Sequence, residues 1–195
     1  MDIPFIYGEK VYLRAVEPED AEILAKVNNQ PEVRYSFFIA FPTNAHRQRE
    51  FIKELYEKRI FVPFIICEKE SKRAIGYTAF HNVDLVSRCT AYSIRIADPA
   101  DWGRGYASEV TRLMISYGFE TLNLNRIQLH VCTDNERGIR AYKKAGFQIE
   151  GTLKEAMYHD DKYCDFHLMA LLRKEYYERK SQEPPPPERP YPTAY

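Results

Sequence analysis

The residues that could do chemistry lie in two stretches. The first is Asp101-Trp102-Gly103-Arg104-Gly105-Tyr106-Ala107-Ser108-Glu109, between a β-rich run (Thr90 to Ile96) and a helix-like run (Val110 to Leu122). Two glycines and a small residue at alternate positions, at the mouth of a helix, form a cradle for phosphate. The first N–H groups of a helix have no intrahelical partner, the helix dipole adds positive potential, and glycine brings backbone to an anion without a Cβ in the way. The second stretch is Asn135-x6-Tyr142-x3-Gly146-Phe147, which places a phenol on a short helix. The glycine stretch is not a P-loop, because no Gly-Lys-Ser/Thr follows it. Nor is it the dinucleotide fingerprint, because it follows an antiparallel hairpin rather than the first strand of a parallel βαβ unit.

The elements that must position these groups are legible from periodicity. Lys10 to Ala15 alternates as a strand, and Glu17-Pro18-Glu19-Asp20 opens a helix with Ile23, Leu24 and Val27 on its apolar face, ended by Asn28-Asn29-Gln30-Pro31. Thr43 or Asn44 caps a second helix carrying Phe51, Ile52, Leu55 and Tyr56. Phe61–Glu68, Ala74–Val83 and Cys89–Ala97 then read as strands in antiparallel succession. After the glycine stretch come a helix through Tyr117, a strand over Arg126–Cys132, and a helix capped by Asp134 or Asn135 and stopped by Gly146. Phe147–Tyr158 and Lys162–Leu172 form a last hairpin. Strand–helix–strand–helix–strand implies a parallel pairing with a right-handed crossover, hence a mixed sheet flanked by helices.

The totals bound the function. A chain of 195 residues, 45% hydrophobic, can bury one ordinary core. Lys plus Arg equals Asp plus Glu at 28 each, which argues against nucleic acid or a membrane surface as the partner. Cys67, Cys89, Cys132 and Cys164 are dispersed, so we expect free thiols in a reducing compartment and no metal. Without a signal peptide or an apolar run near ~20 residues, the expected location is cytoplasmic. Residues 1–180 form the expected domain. Ser181 to Tyr195, with Pro184-Pro185-Pro186-Pro187, reads as a tail without its own fold.

Both stretches resemble the signatures of the GNAT N-acetyltransferase superfamily: Trp102 to Glu109 its acetyl-CoA loop, and Thr133 to Phe147 its second motif. The likeness spans nearly all of residues 10–175 and is greatest to the ribosomal-protein N-terminal acetyltransferase and spermidine/spermine N-acetyltransferase branch. It implies an α/β (α+β) single-domain fold with a mixed, mostly antiparallel sheet of about six or seven strands. It also implies an acetyl-CoA-dependent enzyme acetylating a primary amine directly, whether polyamine, small amine or protein N-terminus. Backbone at Trp102, Gly103, Arg104, Gly105, Tyr106, Ala107 and Ser108 would hold the pyrophosphate, with Arg104 adding charge at the rim. The edge of Arg95, Ile96 and Ala97 would bond the pantetheine arm, beside a strand splayed away from it, with Ile96 N–H polarising the thioester. Asn135 would touch the arm, and Tyr142 would protonate the leaving thiolate. A homodimer is compatible with the resemblance.

The departures from the pattern are specific. Trp102 stands where relatives often carry Arg or Gln, so the cradle should depend on main chain. Tyr92 stands where relatives often carry Glu, leaving His81 or Asp84 through water, or no dedicated base. Gly138 stands where Ser or Ala is common. The segment that would line the acceptor holds Glu32, Glu50 and Glu54 but also Arg34, His46, Arg47, Arg49 and Lys53, with Tyr35, Phe37, Phe38 and Phe41 as aromatic walls. The competing class is a non-catalytic acyl-CoA-binding module with the same fold.

Overall fold

Apolar runs broken by charged turns build one eight-stranded sheet, with helices on both faces. The computed structural model describes residues 3–34, 37, 39–55, 60–159 and 161–182. The strands are β1 (Pro4–Tyr7), β2 (Val11–Arg14), β3 (Val62–Glu68), β4 (Ala74–Asp84), β5 (Cys89–Ile96), β6 (Arg126–Cys132), β7 (Gln148–His159) and β8 (Lys162–Leu172). Their order is β1-β2-β3-β4-β5-β6-β8-β7. All neighbours pair antiparallel except β5 and β6, which run parallel. The helices are α1 (Ala21–Asn29), α2 (Pro31–Arg34), α3 (Ala45–Leu55), α4 (Tyr106–Ser116), α5 (Glu136–Ala145) and α6 (Arg173–Lys180).

Strand alternation divides the core in two. β3 sends Phe64 and Ile66 to the face covered by α4, with Val110, Met114 and Phe119. It sends Ile65 and Cys67 to the face covered by α1 and α3, with Leu24, Ile52 and Leu55. A strand buried on both faces reads as a continuous apolar run. β5 is buried on the α4 face through Tyr92, Ile94 and Ile96, while Ala91, Ser93 and Arg95 are half-buried on the other. Arg14 holds the start of α1 to β2 through two 2.7 Å bonds to Asp20.

The expected mixed sheet is present with one strand more than the six or seven anticipated. β1 is four residues long, begins at a proline and lies at the sheet edge, so it carries little periodic signal. Tertiary contact fixes it: Phe5 stacks on Phe64 at 5.5 Å and meets Tyr117 edge-on at 5.8 Å. Asn44 is the N-terminal cap of α3, accepting from Arg47 N at 2.9 Å. Tyr35, Phe38, Tyr56 and the proline-rich segment 183–195 lie outside the described residues. Cys67, Cys132 and Cys164 are buried and Cys89 half-buried, and none of them forms a disulfide. Among the described residues, Cys132, Asp134 and Cys164 bring ligand-type atoms within 4.8 Å of one another.

Candidate active site

The glycine stretch forms the turn from β5 into α4. Gly103 and Gly105 both lie in the left-handed region, at φ +79° and +88°, where a Cβ is strained. A Cβ on Gly103 would meet nothing within 4 Å, so the loop opens to solvent. Gly105 is the N-cap of α4 and supplies no side-chain acceptor, which leaves the first-turn N–H groups of Tyr106, Ala107 and Ser108 uncapped. Glu109 is buried and accepts from the backbone N–H groups of Glu9 and Lys10, tying α4 to the start of β2.

Cations gather around this turn. Lys10 Nζ donates to Arg104 O at 3.2 Å and is the nearest atom to a Gly105 Cβ. Arg73 grips buried Asp101 through two bonds of 2.8 and 3.0 Å, and the half-exposed Arg104 lies 3.4 Å from Asp101 and 3.5 Å from Glu68. Lys10 and Arg73 were missed in the sequence because they are remote from the motif and only the β2–β3 and β3–β4 pairings bring them here. The Tyr106 side chain turns inward to Glu68, so it offers the loop only its backbone.

Trp102 also turns inward. Its Nε1–H donates to Ile96 O at 3.2 Å and its ring packs on the core, with the Arg137 guanidinium over its face. The residue does bring a donor, but to β5 rather than to the mouth of α4.

The parallel ladder of β5 and β6 covers Cys89–Ala91 with Arg126–Gln128 and then stops. Beyond it the strands diverge, and β6 stays paired to β8 through Cys132. Ala97 N donates to Ile75 O, so alternation directs the backbone of Ala97, Arg95 and Ser93 to β4 and that of Ile96, Ile94 and Tyr92 into the gap. Of the three residues expected at this edge, Ile96 presents its backbone to the gap. Arg95 and Ala97 bond β4, and Ile94 joins Ile96.

α5 closes the far side. Asn135 is its N-cap, with Oδ1 accepting from Gly138 N at 2.9 Å, and a Cβ on Gly138 would sit 2.7 Å from Asn135 Nδ2. Gly146 ends the helix at φ +109°. Tyr142 is half-buried, its ring edge-on to Phe147 at 5.9 Å, and burial pushes its phenol up to about 12. Tyr92 stacks on Phe147 and bonds Thr111 Oγ1 at 3.0 Å; burial holds it firmly protonated.

On the other face of β4 and β5 is a cavity of about 440 Å³, walled by α1, α3, β4 and β5 and lined by Asn28, Gln48, Glu54, Tyr77, His81 and Arg95 among others. His81 Nε2 is 2.7 Å from Ser93 Oγ, and burial lowers its pKa to about 4, so it is neutral at pH 7. Asp84 is elsewhere: it accepts from Val86 and Ser87 N–H in an exposed turn. Phe37 stacks over Arg95, whereas Phe41 is exposed.

This geometry of an uncapped helix mouth, a strand edge open to a gap, and a phenol beside the gap suits an extended thioester with an anionic end. The comparisons with known proteins agree. The acetyltransferase (GNAT) domain matches residues 10–148. An uncharacterized N-acetyltransferase p20 of Bacillus licheniformis is 30% identical over 174 residues, 88% of this chain and 97% of that one. The spermidine N(1)-acetyltransferase of Vibrio cholerae is 28% identical over 175 residues, 88% and 98% of the two chains. A crystal structure of spermidine N-acetyltransferase from Vibrio cholerae, in complex with CoA and spermine, superposes with a TM-score of 0.82 at 25% identity, covering 87% of this chain and 99% of that one. The chain belongs to the acetyltransferase (GNAT) family and is an N-acetyltransferase that takes its acetyl group from acetyl-CoA.

Proposed function

We propose that the pyrophosphate of acetyl-CoA sits on the uncapped N–H groups of α4, that its arm runs along Ile94 and Ile96, and that the acceptor amine enters from the cavity beneath β4 and β5. The observation that carries this reading is the end of the β5–β6 ladder at Ala91↔Gln128, directly upstream of a helix mouth with two positive-φ glycines. Lys10 and Arg104 add positive charge where the phosphates lie. Acetyl-CoA supplies an activated acyl carbon and a thiolate leaving group. Ile96 N–H donates toward the thioester carbonyl oxygen, where charge develops. Tyr142, kept as a phenol by burial, gives its proton to the departing sulfur. Because β5 carries no carboxylate and His81 is a weak base, the acceptor's ammonium gives one proton to solvent before the neutral amine attacks. Transfer is direct, with no acetylated enzyme. A panel of amines assayed with acetyl-CoA and a thiol-detecting reagent tests the reading. Thiol release above hydrolysis with at least one amine is expected; tight CoA binding without such release across the panel would refute it.

A further inference from the structure

Two buried side-chain N or O atoms among the described residues lack a hydrogen-bond partner: Arg95 Nε and Gln48 Oε1. They come from different elements, β5 and α3, and both residues line the same 440 Å³ cavity. Gln48 is 7% exposed and its Nε2 already donates to Thr43 Oγ1 at 2.9 Å, so the carbonyl oxygen is what it can offer a ligand. Arg95 has weak company: Asn28 Oδ1 at 3.4 Å, the Phe37 ring at 4.4 Å and the nearby Tyr77 phenol. Burial lowers its pKa, and no carboxylate among the described residues pairs with it. Buried charges are ordinarily paired, because an isolated one is costly to desolvate.

Among the described residues, the other charges around the cavity do not supply the missing partner. Glu54 is exposed on α3, where water and salt screen it. His81 is neutral at pH 7. At the effective dielectric of about 20 that suits a buried site, Arg95 acts on a ligand about four times as strongly as a charge in bulk water.

Resting on the acetyltransferase reading above, we propose that this cavity is the acceptor site and that it selects an amine that also carries a carboxylate. The carboxylate pairs with the Arg95 guanidinium, and a further N–H or O–H donor of the acceptor bonds Gln48 Oε1. Amino acids and short peptides fit this chemistry. A polyamine does not, since it would bring only cations against a buried cation. The transfer breaks the thioester C–S bond, forms a C–N bond, and passes one amine proton to the thiolate.

The test compares glycine, β-alanine and 4-aminobutyrate with methylamine, ethylamine and propylamine, the same molecules without the carboxylate, and with 1,4-diaminobutane. The wild type should show the higher kcat/KM for each aminocarboxylate. Arg95→Met should lower the ratio of aminocarboxylate to plain amine by about 30-fold, the low end for removing one partner of a buried charge pair, and Arg95→Lys should restore part of it. Arg95→Met should not lower the Tm of the ligand-free protein, since it removes an unpaired buried charge; a merely structural role would lower it. A preference for the diamine, or a ratio unmoved by Arg95→Met, would overturn the proposal. Calorimetry separates the two readings. Aminocarboxylate binding that needs Arg95 but yields no thiol release would sink the transfer reading and keep the pocket. Thiol release without carboxylate preference would do the reverse, and neither binding nor release of any aminocarboxylate overturns the pocket.

Discussion

Tyr142 and His81 are both buried enough to hold one protonation state, with opposite consequences. Tyr142 keeps its proton to about pH 12, so a phenol O–H is available throughout the working range. Tyr142→Phe should lower kcat at least tenfold with little change in acetyl-CoA affinity, measured by steady-state kinetics beside calorimetry. Near-normal turnover would remove the role. His81 is held unprotonated: its folded pKa is about 4 against an ordinary 6.5. Below pH 6.5 the unfolded chain therefore takes up a proton that the fold refuses, and stability falls as pH drops from 6.5 toward 4, with no contribution from this group above 6.5. Between pH 7 and pH 5 the wild type should lose about 1–2 kcal/mol more than His81→Gln in urea unfolding. Equal losses would show that burial does not control this imidazole. The tyrosine at 92 is held protonated and the imidazole at 81 neutral, so neither is a strong general base.

At the scale of elements, the turn into α4 depends on backbone conformation more than on side chains. Gly105 sits at φ +88°, and a β-branched residue there is strained by about 1–3 kcal/mol as well as intruding on the helix mouth. Gly105→Val should raise the Kd for acetyl-CoA at least tenfold. Trp102→Gln should affect that Kd much less and Tm more, because the indole bonds Ile96 O and packs in the core instead of reaching the cradle. Isothermal calorimetry with thermal melts of both variants decides it; equal effects on Kd would mean that Trp102 belongs to the cradle after all. The sequence implied that Trp102 removes a side-chain donor and leaves the cradle to depend on main chain. The fold shows the side chain reassigned, from the loop to the strand edge.

For the whole molecule, the last hairpin exposes apolar side chains at the edge of the sheet. β7 is the outer strand of the sheet, and Ile149, Leu153, Tyr158 and Tyr163 are 38–63% exposed along β7 and β8. An open strand edge with apolar side chains favours association. We expect sedimentation to give a mass above the 23.0 kDa of one chain, and Leu153→Glu with Tyr163→Glu to return it to a monomer. A wild-type monomer at micromolar concentration would contradict this. Among the described residues no helix is long and apolar enough to cross a membrane. The sequence alone determined β2 to β8, the helices α1, α3, α4 and α5, the paired glycines before α4, a cap at Asp134 or Asn135 and Gly146 as a stop, because those depend on period, φ and local hydrogen bonds; α2, α6 and the choice of Asn135 came from the fold. β1 escaped it, since an edge strand of four residues is stabilised by Phe64 and Tyr117 rather than by its own pattern. Only the tertiary structure decided which way each residue of β5 faces. Arg95 and Ile96 are neighbours in the chain, yet alternation sends one side chain to the cavity and the other's backbone to the gap, and that division depends on where the β5–β6 ladder ends.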